Sequence, residues 1–168
     1  TGAARGIGLA TASALAARGA SVALVDIDSD GALKAAESIG PNALGIPCDV
    51  SRADAVEAMI EAVTARFGGI DILVNNAGIC ERVLIEELTE EQWDRTLAVN
   101  LKGPFLVCRS ALKHRRLRGG GRIINIASIA GKIGGLMVGL HYTASKGGLI
   151  AFTKGLAREA APHGITVN

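Results

Sequence analysis

Tyr142 is the only tyrosine in the 168-residue chain, and Lys146 follows it at i+4. On a helix that spacing puts the phenol and the ammonium on one face. A free phenol has a pKa of about 10 and is a poor base at neutral pH. A neighbouring ammonium favours phenolate and draws that value down, toward the range in which a general acid or base works. A lone Y-x-x-x-K recurs by chance, so the pair is weighed with its surroundings. Ser128 ends GRIINIAS and offers a hydroxyl to a substrate oxygen as charge develops on it; a helix-capping serine would look the same. Asn100 ends EQWDRTLAVN, where it can hold a water or a backbone carbonyl and supply a proton path, or be a turn residue.

A second constellation stands at the start of the chain. Gly2, Gly6 and Gly8 lie in TGAARGIG, directly before a helical pattern. Glycines let backbone approach a pyrophosphate, and free N–H groups at a helix start receive its charge. The spacing G-x-x-x-G-x-G differs from the usual G-x-G-x-x-G, and alone it also fits a tight strand–helix turn. Asp26 ends the next strand, where a carboxylate accepts hydrogen bonds from an adenosine ribose and repels the extra phosphate of NADP. Arg5 pulls the other way, since a guanidinium meets a 2′-phosphate well. The carboxylate outweighs it, and NAD is favoured over NADP. Asp49 and Val50 end the following strand, within reach of an adenine edge and face. NNAG (75–78) ends the one after, with Asn75 suited either to bridging neighbouring backbones or to contacting a ligand. Asp28 and Asp30 read as a solvated turn and a helix start.

The elements that must position these residues alternate along the chain. Residues 7–19 form a helix closed by Gly19, 21–26 a β-branched strand, about 30–39 a helix and 43–50 a strand. Ser51 with Asp54 reads as a helix start, followed by the stripe Val56, Met59, Ile60, Val63 and Phe67. Then come a strand over 70–78, a helix opened by the Thr89/Gln92 capping box, and a long helix over about 101–118 with Pro104 in its first turn. A strand over 121–128, a helix over 142–161 and a strand begun by ITVN complete the order. Strands separated by helices predict one domain, 1–168, with a doubly wound parallel sheet, Rossmann-like, and ligands at the carboxyl ends of its strands. No strand precedes the glycine loop, and a further strand has only begun at Asn168. The chain therefore reads as lacking the first strand and the C-terminal part, with low stability expected for the 168 residues alone.

Composition excludes other classes. A net charge of +2 is too small for nucleic-acid binding, and KHRRLR (113–118) reads as the solvated end of a helix. The three cysteines are far apart, with no metal-ligand spacing, and are read as free buried thiols of a cytoplasmic protein. No apolar run is long enough for a membrane span. A P-loop is excluded because no G-K-[ST] follows the glycines.

Together, TGAARGIG, NNAG, Asn100, Ser128 and YTASK, in this order over the whole chain, resemble the short-chain dehydrogenase/reductases. The nearest resemblance is to the branch of 3-oxoacyl carrier-protein reductases and polyol dehydrogenases. It implies Tyr142 as acid/base, Lys146 as its pKa modifier and a ribose ligand, Ser128 as stabiliser of the substrate oxygen, and Asn100 as anchor of a relay water. Cofactor-side positions are Gly2, Arg5, Gly6, Ile7, Gly8, Asp26, Asp49, Val50, Asn75, Ala77 and Gly78, with Tyr142 and Lys146. No metal is implied. The expected reaction is hydride transfer between NAD(P) and a secondary alcohol or ketone, in a homo-oligomer, tetramer or dimer. The Ser128-to-Tyr142 gap is one residue longer than the commonest spacing, and the charge of KHRRLR sits on a helix that usually contributes to subunit contacts. A sensor that binds NAD without turnover is the alternative, with no use for a tuned phenol; a methyltransferase would leave Tyr142 and Lys146 unexplained. The loop GKIGGLMVGLH suggests an apolar wall of Leu136, Met137 and Leu140, or else packing residues. His141 is read as pointing to the opposite helix side from Tyr142 and as non-catalytic.

Overall fold

The computed structural model describes residues 1–113, 117–135 and 137–168. The alternating pattern becomes α1 (Gly6–Ala16), β1 (Val22–Asp26), α2 (Ser29–Ile39), β2 (Ala43–Pro47), α3 (Ala53–Phe67) and β3 (Ile70–Asn75). After these, α4 (Glu90–Leu97) runs through a π-helical turn (Ala98–Lys102) into α5 (Gly103–Leu112). The remainder is β4 (Leu117–Asn125), a short α6 (Ala130–Ile133), α7 (Leu140–Ala160), a 3-10 turn (Ala161–His163) and β5 (Thr166–Val167). Every strand pair is parallel, as short apolar strands joined by helical crossovers require.

The core lies between the sheet and the helices on one face. Val56, Met59, Ile60 and Val63 of α3 are buried against Leu106, Val107 and Ala111 of α5 and against Leu73 and Ile123 of the strands. Each such side chain contributes roughly 1.5–3 kcal/mol by leaving water. A smaller cluster, Ala3, Ala12, Leu24 and Ala36 among it, packs α1 and α2 on β1. Small residues dominate there because the backbones approach closely: a Cβ on Gly45 would lie 2.6 Å from the Ala32 carbonyl oxygen.

The ladder is split. β1 pairs with β2, and β4 lies between β3 and β5, but no described residue forms a ladder between β1 and β3. At their carboxyl ends the Thr1 amino group donates to the Val74 carbonyl (2.9 Å) and the Ala3 N–H to the Val25 carbonyl (3.1 Å). Below this bridge is a cavity of about 650 Å³, lined by Ala12, Val22, Val25, Ile60, Ile72 and Val74.

Several expected boundaries move. The helix read to residue 118 ends at Leu112; Lys113 leaves helical geometry (ψ 135°). Residues 114–116 of KHRRLR lie outside the described residues. Leu117 starts β4, 2% exposed and paired with Ile70, while the strand bulges before Arg122 regains register with Ile72. Arg118 is drawn off by Asp71 (2.6 Å) and the Phe67 carbonyl (3.2 Å). The Ser51 helix start is also not formed, because Ser51 Oγ donates to Asp49 Oδ1 (2.7 Å) and α3 opens after Arg52 without a side-chain cap. The Thr89/Gln92 capping box is present in both halves. Cys48 and Cys108 are buried, and burial pushes their thiols up to about 11 and about 12; Cys80, read as buried, is exposed. Among the described residues, no helix is long and apolar enough to cross a membrane.

Candidate active site

The glycine loop is built by close approach. Gly2 and Gly6 have positive φ (62° and 60°), which L side chains rarely adopt. A Cβ on Gly2 would lie 2.8 Å from Ala77 Cα, and one on Gly8 would collide with the Gly2 carbonyl oxygen. Gly6 faces open space, at the start of α1, with Arg5 at the N-cap and Ile7 65% exposed. Asp26 ends β1 beside this loop: Oδ2 accepts from the Ala4 N–H (3.0 Å) and Oδ1 from the Asp28 N–H (3.1 Å). Its carboxylate keeps lone pairs for further donors. Asp28 is the N-cap of α2, accepting from Gly31 N–H (3.0 Å).

Two expected contacts turn inward. Val50 is 6% exposed in the main core, and a Cβ on Gly103 would lie 3.0 Å from its Cγ2. Asn75 is buried, with Nδ2 donating to Asn125 Oδ1 (2.8 Å) and to Cys108 Sγ (3.3 Å). Strand alternation sends its neighbour Asn76, which sequence reasoning missed, to the glycine loop. Asn76 Nδ2 donates to the Thr1 and Gly2 carbonyls (3.0 and 3.1 Å). Thr1 Oγ1 accepts from the N–H groups of Asn76 and Ala77 (3.1 and 3.0 Å), so NNAG and TGAARGIG are stitched into one floor. The cue was its place in the N-N pair, one residue out of phase with a buried strand end. Asp49 Oδ1 is held by Ser51, at the end of the β2 segment.

Next to that floor stands α7. Tyr142 is half-buried in its first turn and Lys146 is 5% exposed one turn on, with Nζ 5.8 Å from the Tyr142 ring centroid. Lys146 Nζ donates to the Ile126 carbonyl at 2.6 Å, which ties the helix to the end of β4. Burial lowers the Lys146 pKa, opposed by the Cys80 thiol. A Cβ on Gly78 would lie 3.3 Å from Asn100 Oδ1 and 3.7 Å from Lys146 Nζ, so the three positions converge.

Asn100 sits inside the π-helical turn, 1% exposed. Such turns add a residue to a helix and occur often at functional sites. Its amide pairs with the backbone of Ile79 in both directions and donates to Ser145 Oγ (3.1 Å). Ser145 Oγ in turn donates to the Tyr142 carbonyl (2.7 Å). Asn100 therefore reaches the first turn of α7 through Ser145, another residue sequence reasoning passed over.

Ser128 follows β4 and is half-buried. Its Oγ accepts from the Ala130 N–H (3.2 Å) and its carbonyl from Gly131 N–H (3.1 Å), opening α6. Ile129 is the N-cap of α6, so Ser128 braces the helix start from one residue outside it, and its hydroxyl proton stays available to donate. α6 packs on α7: a Cβ on Gly131 would lie 2.6 Å from Gly147 N. Of the expected apolar wall, Met137 and Leu140 are 69% and 49% exposed, and Leu136 lies outside the described residues. His141 is fully buried, and among the described residues its ring nitrogens have no partner.

The short-chain dehydrogenase family model matches residues 1–168. D-threitol dehydrogenase of Mycolicibacterium smegmatis is 45% identical over all of this chain and 65% of its own length. The 3-oxoacyl-[acyl-carrier-protein] reductase of Vibrio cholerae is 41% identical over all of this chain and 68% of its own. The chain thus spans about two thirds of the curated relatives it matches. A crystal structure of a Brucella melitensis 3-ketoacyl-(acyl-carrier-protein) reductase complexed with NADH superposes with a TM-score of 0.92 at 36% identity, covering 99% of this chain and 70% of that one. The parallel strand–helix order, the glycine floor and the α7 tyrosine–lysine pair have their explanation in common descent: the chain belongs to the short-chain dehydrogenase family.

Proposed function

We propose that the native protein is an oxidoreductase that moves a hydride between a nicotinamide cofactor, NAD in preference to NADP, and a secondary alcohol or ketone. The observation that carries this reading is the meeting of Gly78, Asn100 and Lys146 beside Tyr142, next to the glycine floor. The residues present fit a dinucleotide: Gly2 and Gly8 leave no room for a Cβ, Gly6 opens the start of α1, and Asp26 stands at the end of β1. Gly2, Gly6 and Gly8 would hold the pyrophosphate, Asp26 the adenosine ribose, and Lys146 with Tyr142 the second ribose. When bound, the nicotinamide supplies the hydride donor or acceptor.

The chain's own residues handle the proton. Tyr142 Oη gives a proton to the substrate oxygen in reduction and takes it in oxidation. The Lys146 ammonium, anchored by Ile126, stabilises negative charge on that phenol. Ser128 Oγ–H donates to the same substrate oxygen while its lone pair stays with Ala130. Asn100 and Ser145 fix the turn carrying Tyr142, and Asn100 would anchor a relay water. The printed names of the relatives support both directions, since dehydrogenases and reductases occur among them.

The test follows absorbance at 340 nm with NAD and a panel of secondary alcohols, and with NADH and the matching ketones, for wild type and Tyr142→Phe. Turnover by wild type and its loss by at least about a thousandfold in the variant, with NAD affinity kept within about threefold, is expected. NAD binding without turnover in either direction would leave a sensor instead.

A further inference from the structure

The surface beside Tyr142 bears on the chemistry of the substrate. Two segments converge on the first turn of α7. One is 79–88, anchored by the Asn100 clamp on Ile79 and by Gly139 N–H donating to the Glu81 carbonyl (2.9 Å). The other comprises 129–135 and 137–139, folded back on α7 through Gly131 against Gly147, with Gly135 seated against Val138, Thr143 and Ala130.

These segments carry Leu84 (63% exposed), Ile85 (62%), Ile129 (66%), Ile133 (78%) and Met137 (69%), with Leu140 (49%) on the helix itself. Half of the twelve large hydrophobic side chains exposed among the described residues therefore lie on these two segments and the first turn of α7. A concentration of that kind marks a binding surface, where single scattered residues would not. Ile129 directly follows Ser128 in the chain, so this segment begins beside the group that would hold the reacting oxygen.

Polar side chains are scarce on the second of these segments. Between Ser128 and Tyr142 the only ionisable side chains are Lys132, exposed, and His141, fully buried, and no hydroxyl or amide side chain occurs. In the facing segment Glu81 is engaged by Gln92 (3.5 Å) and Arg95 (4.0 Å), while Arg82, Glu86 and Glu87 are exposed. A chain of hydroxyls set against this wall would lose its hydration with few partners in return.

We infer that the substrate carries an aliphatic arm of several carbons beside its reacting carbon, laid on the Ile129–Ile133–Met137–Leu140 wall, and is not a polyol. This rests on the oxidoreductase reading. It separates this chain from the substrate named for its threitol dehydrogenase relative.

The experiment measures kcat/KM of the native protein with NAD for 2-butanol, 2-hexanol, 2-octanol, threitol and galactitol. A rise of about two- to fourfold per added methylene is expected, with both polyols at least about tenfold below 2-hexanol. The double variant Ile133→Asn with Met137→Asn should flatten that slope, 2-octanol losing at least about tenfold relative to 2-butanol. A flat series, or a polyol preferred over every alkanol, overturns the inference and leaves the oxidoreductase reading standing. A double variant that keeps the slope but changes the assembly size in light scattering also overturns it, by making the wall a contact between copies. Silence with every alcohol and with the matching ketones and NADH overturns both.

Discussion

Asn100 holds Ile79 by both of its backbone groups: Oδ1 accepts the N–H at 2.8 Å and Nδ2 donates to the carbonyl at 2.8 Å. A side chain here completes what a neighbouring strand would otherwise supply, and it does so from a helix. Asn100→Ala would leave these groups and Ser145 Oγ without their partner in a buried place. A loss of about 2–4 kcal/mol in urea unfolding is expected. Asn100→Asp keeps the acceptor but sets a carboxylate oxygen against the Ile79 carbonyl in a buried place, and should lose at least as much as Asn100→Ala.

Gly6 and Gly8 separate conformational from steric need. Gly6→Ala meets nothing within 4 Å but must keep φ +60°, so about 1 kcal/mol of stability should go with modest loss of NADH affinity. Gly8→Ala puts a Cβ onto the Gly2 carbonyl and distorts the floor itself. Its NADH affinity, followed by cofactor fluorescence, should weaken at least about tenfold more than that of Gly6→Ala.

Asp26 sets cofactor choice in the proposed reading. Asp26→Asn removes the charge while its remaining oxygen still accepts from the Ala4 N–H. Like charges about 4 Å apart cost roughly 1–4 kcal/mol between water and a partly buried site. The ratio of kcat/KM for NADP over NAD should therefore rise at least about tenfold. An unchanged ratio would remove Asp26 from that role.

Lys146 gives a pH signature of stability. Burial lowers its pKa below the ordinary 10.5, so between the lowered and the ordinary value the unfolded chain holds a proton that the folded one has released. The penalty of burying the ammonium is thus full below the folded pKa and fades as pH rises toward 10.5. Lys146→Met should be at least as stable as wild type at pH 7, with the gap closing as pH rises, in denaturant titrations over that range. The variant should be inactive throughout.

His141 is buried without a described partner for either nitrogen. His141→Leu should then remain within about 1 kcal/mol of wild type, since it forfeits no hydrogen bond and roughly conserves volume. His141→Asp, a charge in the same place, should unfold at much lower urea.

Much of this was legible because periodicity is physical. The stripe of α3, the Thr89/Gln92 box and the alternation of strand and helix are local patterns that tertiary packing did not override. What failed depended on competing partners, some near in the chain and some only in space. Leu117 looks like one more turn of a charged helix, and only its pairing with Ile70 makes it a strand. Ser51 was taken from its cap by Asp49, two residues upstream. Asn75 and Asn76 are the same residue type on opposite faces of one strand end, and sequence fixes that they differ without saying which meets the glycine loop. That Tyr142, Lys146 and Asn100 share one neighbourhood was readable from their types and spacing; the link through Ser145 was not, since it is visible only once two helices touch.

The π-helical turn at Ala98–Lys102 has a consequence for how the helix it interrupts can change. Before it, α4 packs on α7; after it, α5 packs on α3. One rod of chain thus belongs to two neighbourhoods, its apolar faces out of phase by the extra residue. Substitutions in Glu90–Leu97 act on the helix of Tyr142, and those in Gly103–Leu112 act on the core. Deleting a single residue from the turn would bring the faces into phase, rotate Asn100 off Ile79, and couple what sequence drift can now tune separately.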